Sequence, residues 1–98
     1  MANRWQSNIG KLRRQIDSLD IKLIRILNDR ARCAIEIGRI KRQQELAIYD
    51  PPREEAIIQM MLEQNRGPLD AVGVRRLFER IIDESRRIER LTADRESR

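Results

Sequence analysis

The fold is decided by the stretch LRRQIDSLDIKLIRILNDRARCAIEIGRIK, which runs from Leu12 to Lys41. Its apolar residues recur every four and every three positions in turn, which is the spacing of one face of an α-helix. Arg30 occupies a position where this spacing predicts an apolar side chain. The pattern predicts a long first helix from about Ser7 to Gln43, whose apolar seam consists of Leu12, Ile16, Leu19, Leu23, Ile26, Cys33, Ile37 and Ile40.

The length of this helix predicts a second copy of the chain. At about 1.5 Å per residue, a helix of roughly 35 residues is roughly 52 Å long. A compact domain formed by the 98 residues of the chain has a diameter of about 32 Å. Because the seam continues along the whole helix, a monomer would expose leucine and isoleucine. We therefore predict a homodimer in which the first helix packs along its symmetry mate. The alternative is a kinked first helix in a monomeric three-helix bundle.

Two further helices follow the first. Asp50 before Pro51 is typical of an N-cap followed by proline at the first helical position, which predicts a second helix from Pro51 to about Gln64. Gly67-Pro68 is a stop signal. In each of these two helices the apolar residues again lie on one side. They are Ala56, Ile57, Met60 and Met61 in the second helix and Val74, Leu77, Phe78, Ile81, Ile82 and Ile88 in the third.

Asp70 caps the third helix, which is predicted to run to about Leu91. Together the patterns predict an all-α fold of three helices per chain in one domain, residues 1–98, with a core over about residues 8–92 and a polar tail, residues 93–98, that frays.

Composition restricts the chemistry. The chain has 21 Lys and Arg against 16 Asp and Glu, a net charge of +5, and this excess attracts an anion such as a nucleic acid, an acidic membrane surface or a small polyanion. It has no histidine, which argues against a metal site and against Ser-His or Cys-His catalysis. No apolar run reaches the roughly 18 residues of a membrane span, and the N-terminus lacks the apolar region of a signal peptide, so we expect a cytoplasmic location.

Arg30, the polar residue in the seam, requires a negatively charged partner. A buried and unpaired charge is strongly unfavourable, so Arg30 needs either an acidic side chain or an anionic ligand. At about 100° per residue, Lys41 points within roughly 20° of Arg30, whereas Arg13 points roughly 100° away from it. Arg13 is therefore better placed to serve the equivalent pocket of a partner chain.

Other polar residues add to the same pattern. Ser85 and Glu89 are four positions apart on one face of the third helix, while Arg53 and Glu54 lie in the first turn of the second helix beside Asp50. We hypothesise that cations from several helices converge in an apolar bundle and bind a small molecule with more than one carboxylate or phosphate. The alternatives are a structural ion pair at Arg30 and a plain helix cap at Asp50.

Three segments together resemble the all-helical, type II chorismate mutase family. They are the stretch quoted above, YDPPREE from Tyr49 to Glu55, and RLFERIIDESRRIE from Arg76 to Glu89. The resemblance implies an intertwined homodimer of three-helix chains. It also implies a Claisen rearrangement of chorismate to prephenate, toward phenylalanine and tyrosine, with neither a metal nor an organic cofactor.

The resemblance implies roles for three cations. Arg30 would hold a substrate carboxylate within its own chain. Lys41 would bind the ether oxygen of the breaking C–O bond and a nearby carboxylate. Arg13 would reach into the active site of the partner.

Roles are also implied in the second and third helices. Asp50 and Glu54 would surround the ring hydroxyl of the substrate, Arg53 would lie near the site, and Ser85 would contact a carboxylate. Glu89 stands where many members carry a glutamine that donates to the ether oxygen. The expected catalytic residues are thus Lys41, Glu89 and Arg30.

Glu89 departs from the commoner glutamine, and this departure predicts a pH dependence. An ionised carboxylate cannot donate a hydrogen bond, so Glu89 must be protonated to take that role. Activity is then expected to fall as the pH rises, unless Glu89 turns outward and pairs with Arg86 or another basic neighbour.

Three rival functions are considered. An isochorismate-pyruvate lyase shares the fold and a related cationic pocket. A basic nucleic-acid-binding dimer fits the charge, although the acidic residues are interspersed with the basic ones and no recognition motif is present. A purely structural dimerising bundle would need no substrate.

Overall fold

The computed structural model describes residues 3–98, and over this range the chain forms three α-helices. They are α1, Arg4–Gln43, α2, Pro51–Gln64, and α3, Ala71–Glu96. Met1 and Ala2, which belong to the predicted domain, lie outside the described residues. The prediction of an all-α fold with a long first helix is confirmed, and α2 has the predicted bounds. None of the described helices is long and apolar enough to span a bilayer.

Two helix bounds differ from the sequence prediction. Helix α1 begins at Arg4 rather than Ser7, and α3 continues to Glu96, beyond the predicted end near Leu91. The expected frayed tail, residues 93–98, is therefore helical as far as Glu96. This last turn is held because the Glu96 carboxylate pairs with Arg39 and Arg42 near the end of α1.

The chain divides into two compact units, one ending at Arg32 and the other Cys33–Arg98. Whether they form one domain stays a prediction. In the described part of the first unit, α1 buries none of its residues. Its seam is open to solvent within this unit, since Leu12, Leu19 and Ile26 are 57%, 61% and 62% exposed.

The unit Cys33–Arg98 contains the described apolar core. Helix α2 packs against α3. The buried apolar side chains are Ile58 on α2 and Val74 and Ile82 on α3, each at most 6% exposed. Burying an aliphatic side chain of this size contributes about 1.5–3 kcal/mol. Gly38, near the end of α1, is also buried in this unit.

The predicted caps of α2 and α3 are present. The Asp50 side chain accepts a hydrogen bond from the Arg53 backbone N–H at 3.1 Å, and Asp70 accepts one from the Gly73 N–H at 2.7 Å. Each bond satisfies a backbone donor that the first helical turn leaves without a partner. The stop after α2 includes Gly67, whose φ of 77° lies in the left-handed region that glycine adopts without strain.

The end of α1 is closed by two backbone hydrogen bonds. The Leu46 N–H donates to the Lys41 carbonyl at 2.7 Å, and the Glu45 N–H donates to the Arg42 carbonyl at 3.2 Å. With Glu45 at a φ of 56°, this is a Schellman motif, although glycine is the usual residue at that left-handed position. The motif turns the chain sharply just after Lys41.

Candidate active site

Lys41 projects from the last turn of α1 and is half-buried. Its Nζ donates to the backbone carbonyl of Ile48 at 3.4 Å, which links the end of α1 to the segment before α2. The backbone carbonyl of Lys41 belongs to the Schellman motif as well. Both the backbone and the ammonium group of Lys41 thus contact the segment that follows α1.

Glu89 on α3 lies against Gly38 on α1. A β-carbon at Gly38 would lie 3.5 Å from the Cγ and 3.7 Å from the Cβ of Glu89. Gly38 and Lys41 are three positions apart, so they are neighbours on the surface of α1. The structure therefore brings Glu89 to the part of α1 from which Lys41 projects.

Ser85 precedes Glu89 by one turn of α3 and is half-buried. Its Oγ donates to the Ile81 carbonyl at 3.0 Å. This is the back-bonding that a helical serine makes to the preceding turn. A serine hydroxyl can both donate and accept, and it can rotate toward another acceptor.

The start of α2 carries Asp50, Arg53 and Glu54. The Asp50 carboxylate acts as the helix cap described above, which is the plain structural role considered for it from the sequence. The Arg53 side chain is exposed. Glu54 is half-buried and pairs with the Nε of Arg86 on α3 at 3.5 Å.

Arg86 on α3 interacts with side chains at and just before the start of α2. Besides Glu54 it pairs with Asp83, and its guanidinium carbon lies 5.2 Å from the centre of the Tyr49 ring. The hydrogen bond to the Asp83 carboxylate raises the pKa of Arg86 above its ordinary value. A cleft of about 290 Å³ lies between α2 and α3 beside these contacts, and Glu54 is the predicted site residue that lines it.

Arg13 and Arg30 belong to the unit that ends at Arg32. Arg13 is exposed, and Arg30 is half-buried even though the neighbouring Ile26 of the seam is 62% exposed. The other predicted site residues all belong to the unit Cys33–Arg98, and they are Lys41, Asp50, Arg53, Glu54, Ser85 and Glu89.

Sequence reasoning missed an ion-pair cluster at the end of α3. Glu96 accepts hydrogen bonds from the Nε of Arg39 at 2.7 Å and from the Nη2 of Arg42 at 2.8 Å. Arg39 also pairs with Glu36. The hydrogen bond from Arg39 holds the pKa of Glu96 below its ordinary value. The spacing of Arg39 and Arg42 on one side of α1 was visible in the sequence, but their partner on α3 was not.

Comparison with known proteins identifies the family. A family model described as chorismate mutase type II matches residues 12–90. The chain belongs to the chorismate mutase type II family. Within residues 3–98, no group of three or more histidine, cysteine, aspartate or glutamate residues is arranged to hold a metal ion.

Two solved structures of chorismate mutase from Thermus thermophilus are similar over most of this chain. One form is 34% identical, superposes with a TM-score of 0.83, and is matched over 85% of this chain and 94% of its own. A second form is 35% identical with a TM-score of 0.78, over 80% of this chain and 98% of its own. The chain is therefore a chorismate mutase domain. Chorismate mutases are isomerases.

A longer relative is the bifunctional chorismate mutase/prephenate dehydratase of Pseudomonas aeruginosa. It is 39% identical over 82 residues, which cover 79% of this chain and 22% of the relative. The chain thus spans about a fifth of the length of the curated relatives it matches.

Proposed function

We propose that this chain converts chorismate to prephenate, a step toward phenylalanine and tyrosine, with Lys41 and Glu89 acting at the ether oxygen of the substrate. The proposal is carried by the approach of Glu89 to Gly38, one turn from Lys41 on α1. This approach supports the proposal because Glu89 and Lys41 are distant in the sequence. A cytoplasmic location is part of the proposal.

The reaction needs no proton transfer by the protein. Chorismate rearranges in one concerted step when its side chain folds over its ring, so a pocket accelerates it by holding that compact arrangement. Negative charge develops on the ether oxygen as the C–O bond breaks. The Lys41 ammonium stabilises this charge because it is already in position, tied to the Ile48 carbonyl. An acceleration of about a million-fold corresponds to roughly 8 kcal/mol.

The carboxylates of the substrate need cations and hydroxyl groups. We assign one carboxylate to Arg30, whose guanidinium suits planar bidentate contact. Ser85 donates to a carboxylate by rotating its hydroxyl from Ile81. In this proposal, substrate binding is the reason for an arginine at this position of the apolar seam.

The start of α2 takes the ring hydroxyl of the substrate. We assign this hydroxyl to Glu54 and to the backbone of Asp50, since the Asp50 side chain caps the helix. Arg86 supports the arrangement by holding Glu54 at 3.5 Å. We also assign Arg53 to the surroundings of the site, where it adds positive charge.

Glu89 must be protonated to act with Lys41. A neutral carboxyl group donates its O–H to the ether oxygen, whereas a carboxylate would repel the charge that develops there. The active form of the site is therefore the one with Lys41 charged and Glu89 neutral.

We further propose that the chain forms a homodimer and that Arg13 of the partner subunit completes each site. The support is the exposed apolar stripe of the first unit, in which Leu12, Leu19 and Ile26 are all more than half exposed. Burying such a stripe against a second copy removes apolar surface from water, which stabilises the dimer by about 25 cal/mol for each Å² buried. Arg13, exposed on the same helix, then lies beside the partner.

Mixing two inactive variants tests both proposals together. Arg13→Ala and Lys41→Ala each remove one residue of a shared site. If Arg13 acts in the partner's site, a mixed dimer contains one site with both residues intact. Random reassembly of equal amounts should restore about a quarter of wild-type activity, by the statistics of a two-fold dimer. Activity is read as the loss of chorismate absorbance.

The control for this mixture is Lys41→Ala with Glu89→Ala, since both residues belong to one unit of the same chain. That pair should show no restored activity. Equal restoration in both mixtures, or in neither, would contradict the placement of Arg13. Formation of salicylate from isochorismate, without loss of chorismate, would contradict the mutase assignment itself.

A further inference from the structure

Glu96, in the last turn of α3, is bound to two arginines of α1. Its Oε1 accepts from the Arg39 Nε at 2.7 Å, and its Oε2 accepts from the Arg42 Nη2 at 2.8 Å. The Glu96 side chain is 40% exposed and that of Arg42 is 28% exposed. Glu96 follows Glu89 by seven positions, which is about two helical turns, so both carboxyl groups lie on one side of α3.

Arg42 pairs with Glu96 and also approaches Gly38, the residue that Glu89 approaches. Its Nη1 lies 3.5 Å from the position of a β-carbon at Gly38, and the Cγ of Glu89 lies 3.5 Å from that same point. Its other terminal nitrogen is the one that Glu96 binds. One guanidinium thus pairs with Glu96 and lies near the same point on α1 as the stem of Glu89.

We propose that Glu96 is a positioning residue of the active site, which holds the Arg42 guanidinium so that less of its positive charge acts on Glu89. The inference rests on the proposed function, in which Glu89 must be neutral. A cation without its own counter-ion beside Glu89 would favour the ionised carboxylate, which cannot donate to the substrate. Glu96 supplies that counter-ion.

Other charged groups lie on the same stretches of α3 and α1. On α3, Arg86 is one turn away and is held by Glu54 and Asp83, and Arg90 is exposed. Lys41 on α1 is proposed to act on the substrate. Lysine and arginine side chains in general titrate well above the range in which carboxyl groups titrate. A change in the acid part of the pH profile therefore reports on carboxyl groups.

Two variants shift the profile in opposite directions. Glu96→Gln keeps the size of the side chain but removes the counter-ion of Arg42, so the pH at which activity falls should drop by about half a pH unit. Arg42→Gln removes the cation itself, so that pH should rise by a similar amount. The measurement is kcat/KM for chorismate from about pH 4 to pH 9.

Glu84→Gln is the matched control. Glu84 is also an exposed glutamate of α3 that pairs with two arginines, Arg80 at 3.0 Å and Arg87 at 3.6 Å. Both partners lie on α3 itself, so this variant loses the same charge without loosening α1. Its profile should coincide with that of the wild type.

Two results would overturn the inference alone. In one, Glu89→Gln removes the fall in activity, whereas Glu96→Gln and Arg42→Gln do not change the pH at which activity falls. In the other, Glu96→Gln lowers the rate equally at every pH, which is the result expected of a purely structural clamp. If Glu89→Gln keeps the wild-type profile, the proposed role of Glu89 fails first and the inference falls with it.

Discussion

Glu89 and Gly38 approach each other so closely that a β-carbon at Gly38 would be 3.5 Å from the Cγ of Glu89. This is an ordinary van der Waals distance for one added methyl group but leaves no room for a larger side chain. The contact sets the spacing between α3 and the end of α1, which carries Lys41.

The variants Gly38→Ala and Gly38→Leu should therefore differ in their effects on stability and on kcat. Alanine fits the contact and favours the helix over glycine by about 1 kcal/mol, so the free energy of unfolding should rise with little change in kcat. Leucine must displace Glu89 or Arg42, and kcat should fall while the helix content stays the same. Urea unfolding and the chorismate assay measure the two effects. Equal activity of both variants would show that the contact does not position the site.

Lys41→Met should lower kcat about 10²–10³-fold, because it removes the charge that is preorganised for the ether oxygen while keeping most of the stem. Lys22→Met is the control, since Lys22 is an exposed lysine of α1 in the other unit. A loss smaller than about tenfold would be less than one preorganised donor contributes and would place Lys41 outside the reaction.

Glu89→Gln should flatten the pH profile of kcat/KM. A glutamine side chain donates a hydrogen bond at every pH, whereas Glu89 donates only when it is protonated. The wild-type rate should fall as the pH rises from about 5 to 8, and the variant rate should not. A wild-type rate that is constant over this range would exclude the role proposed for Glu89.

Glu45→Gly should stabilise the protein by up to about 1 kcal/mol. A residue other than glycine in the left-handed region costs about 1–2 kcal/mol, part of which is offset by the greater freedom of glycine in the unfolded chain. A negative charge near the end of α1 is also unfavourable to the helix dipole. Urea unfolding at a fixed protein concentration measures the change. Gln43→Gly, at the last position of the helix, should instead destabilise by up to about 1 kcal/mol.

Acid should weaken the fold partly through Glu55 and Glu96. The hydrogen bond from Arg75 holds the pKa of Glu55 below its ordinary value, as the hydrogen bond from Arg39 does for Glu96. Each group therefore adds stability above the pKa of an unfolded glutamate, and this stability is lost as the pH falls through the lowered folded value. The double variant Glu55→Gln/Glu96→Gln should lose less stability than the wild type between about pH 5 and pH 3.

Local features of the helices were predictable because they depend on neighbours in the chain. The repeat of apolar residues indicated α1, and Asp50 with Pro51 indicated the start of α2. The bounds of α2 were predicted correctly for this reason. The end of α3 was not, because its last turn is held by Arg39 and Arg42, which precede Glu96 by more than fifty residues.

The site was predictable only in part. The sequence placed Ser85 and Glu89 on one face of α3, and the family resemblance proposed their roles. Neither indicated that Glu89 would meet Gly38, that Lys41 would reach the Ile48 carbonyl, or that Arg86 would hold Glu54 to α3. Such contacts depend on how helices pack, and helix periodicity leaves the register of one helix against another open.

By itself, the order of residues determined three helices, their caps and the apolar stripe that each presents, since these follow from hydrogen bonds and side-chain spacing within one segment. Tertiary structure alone decided which charges of different helices became neighbours. Glu96 came to bind Arg39 and Arg42 because packing brings together side chains that are distant in the chain, and electrostatic energy depends on their separation in space.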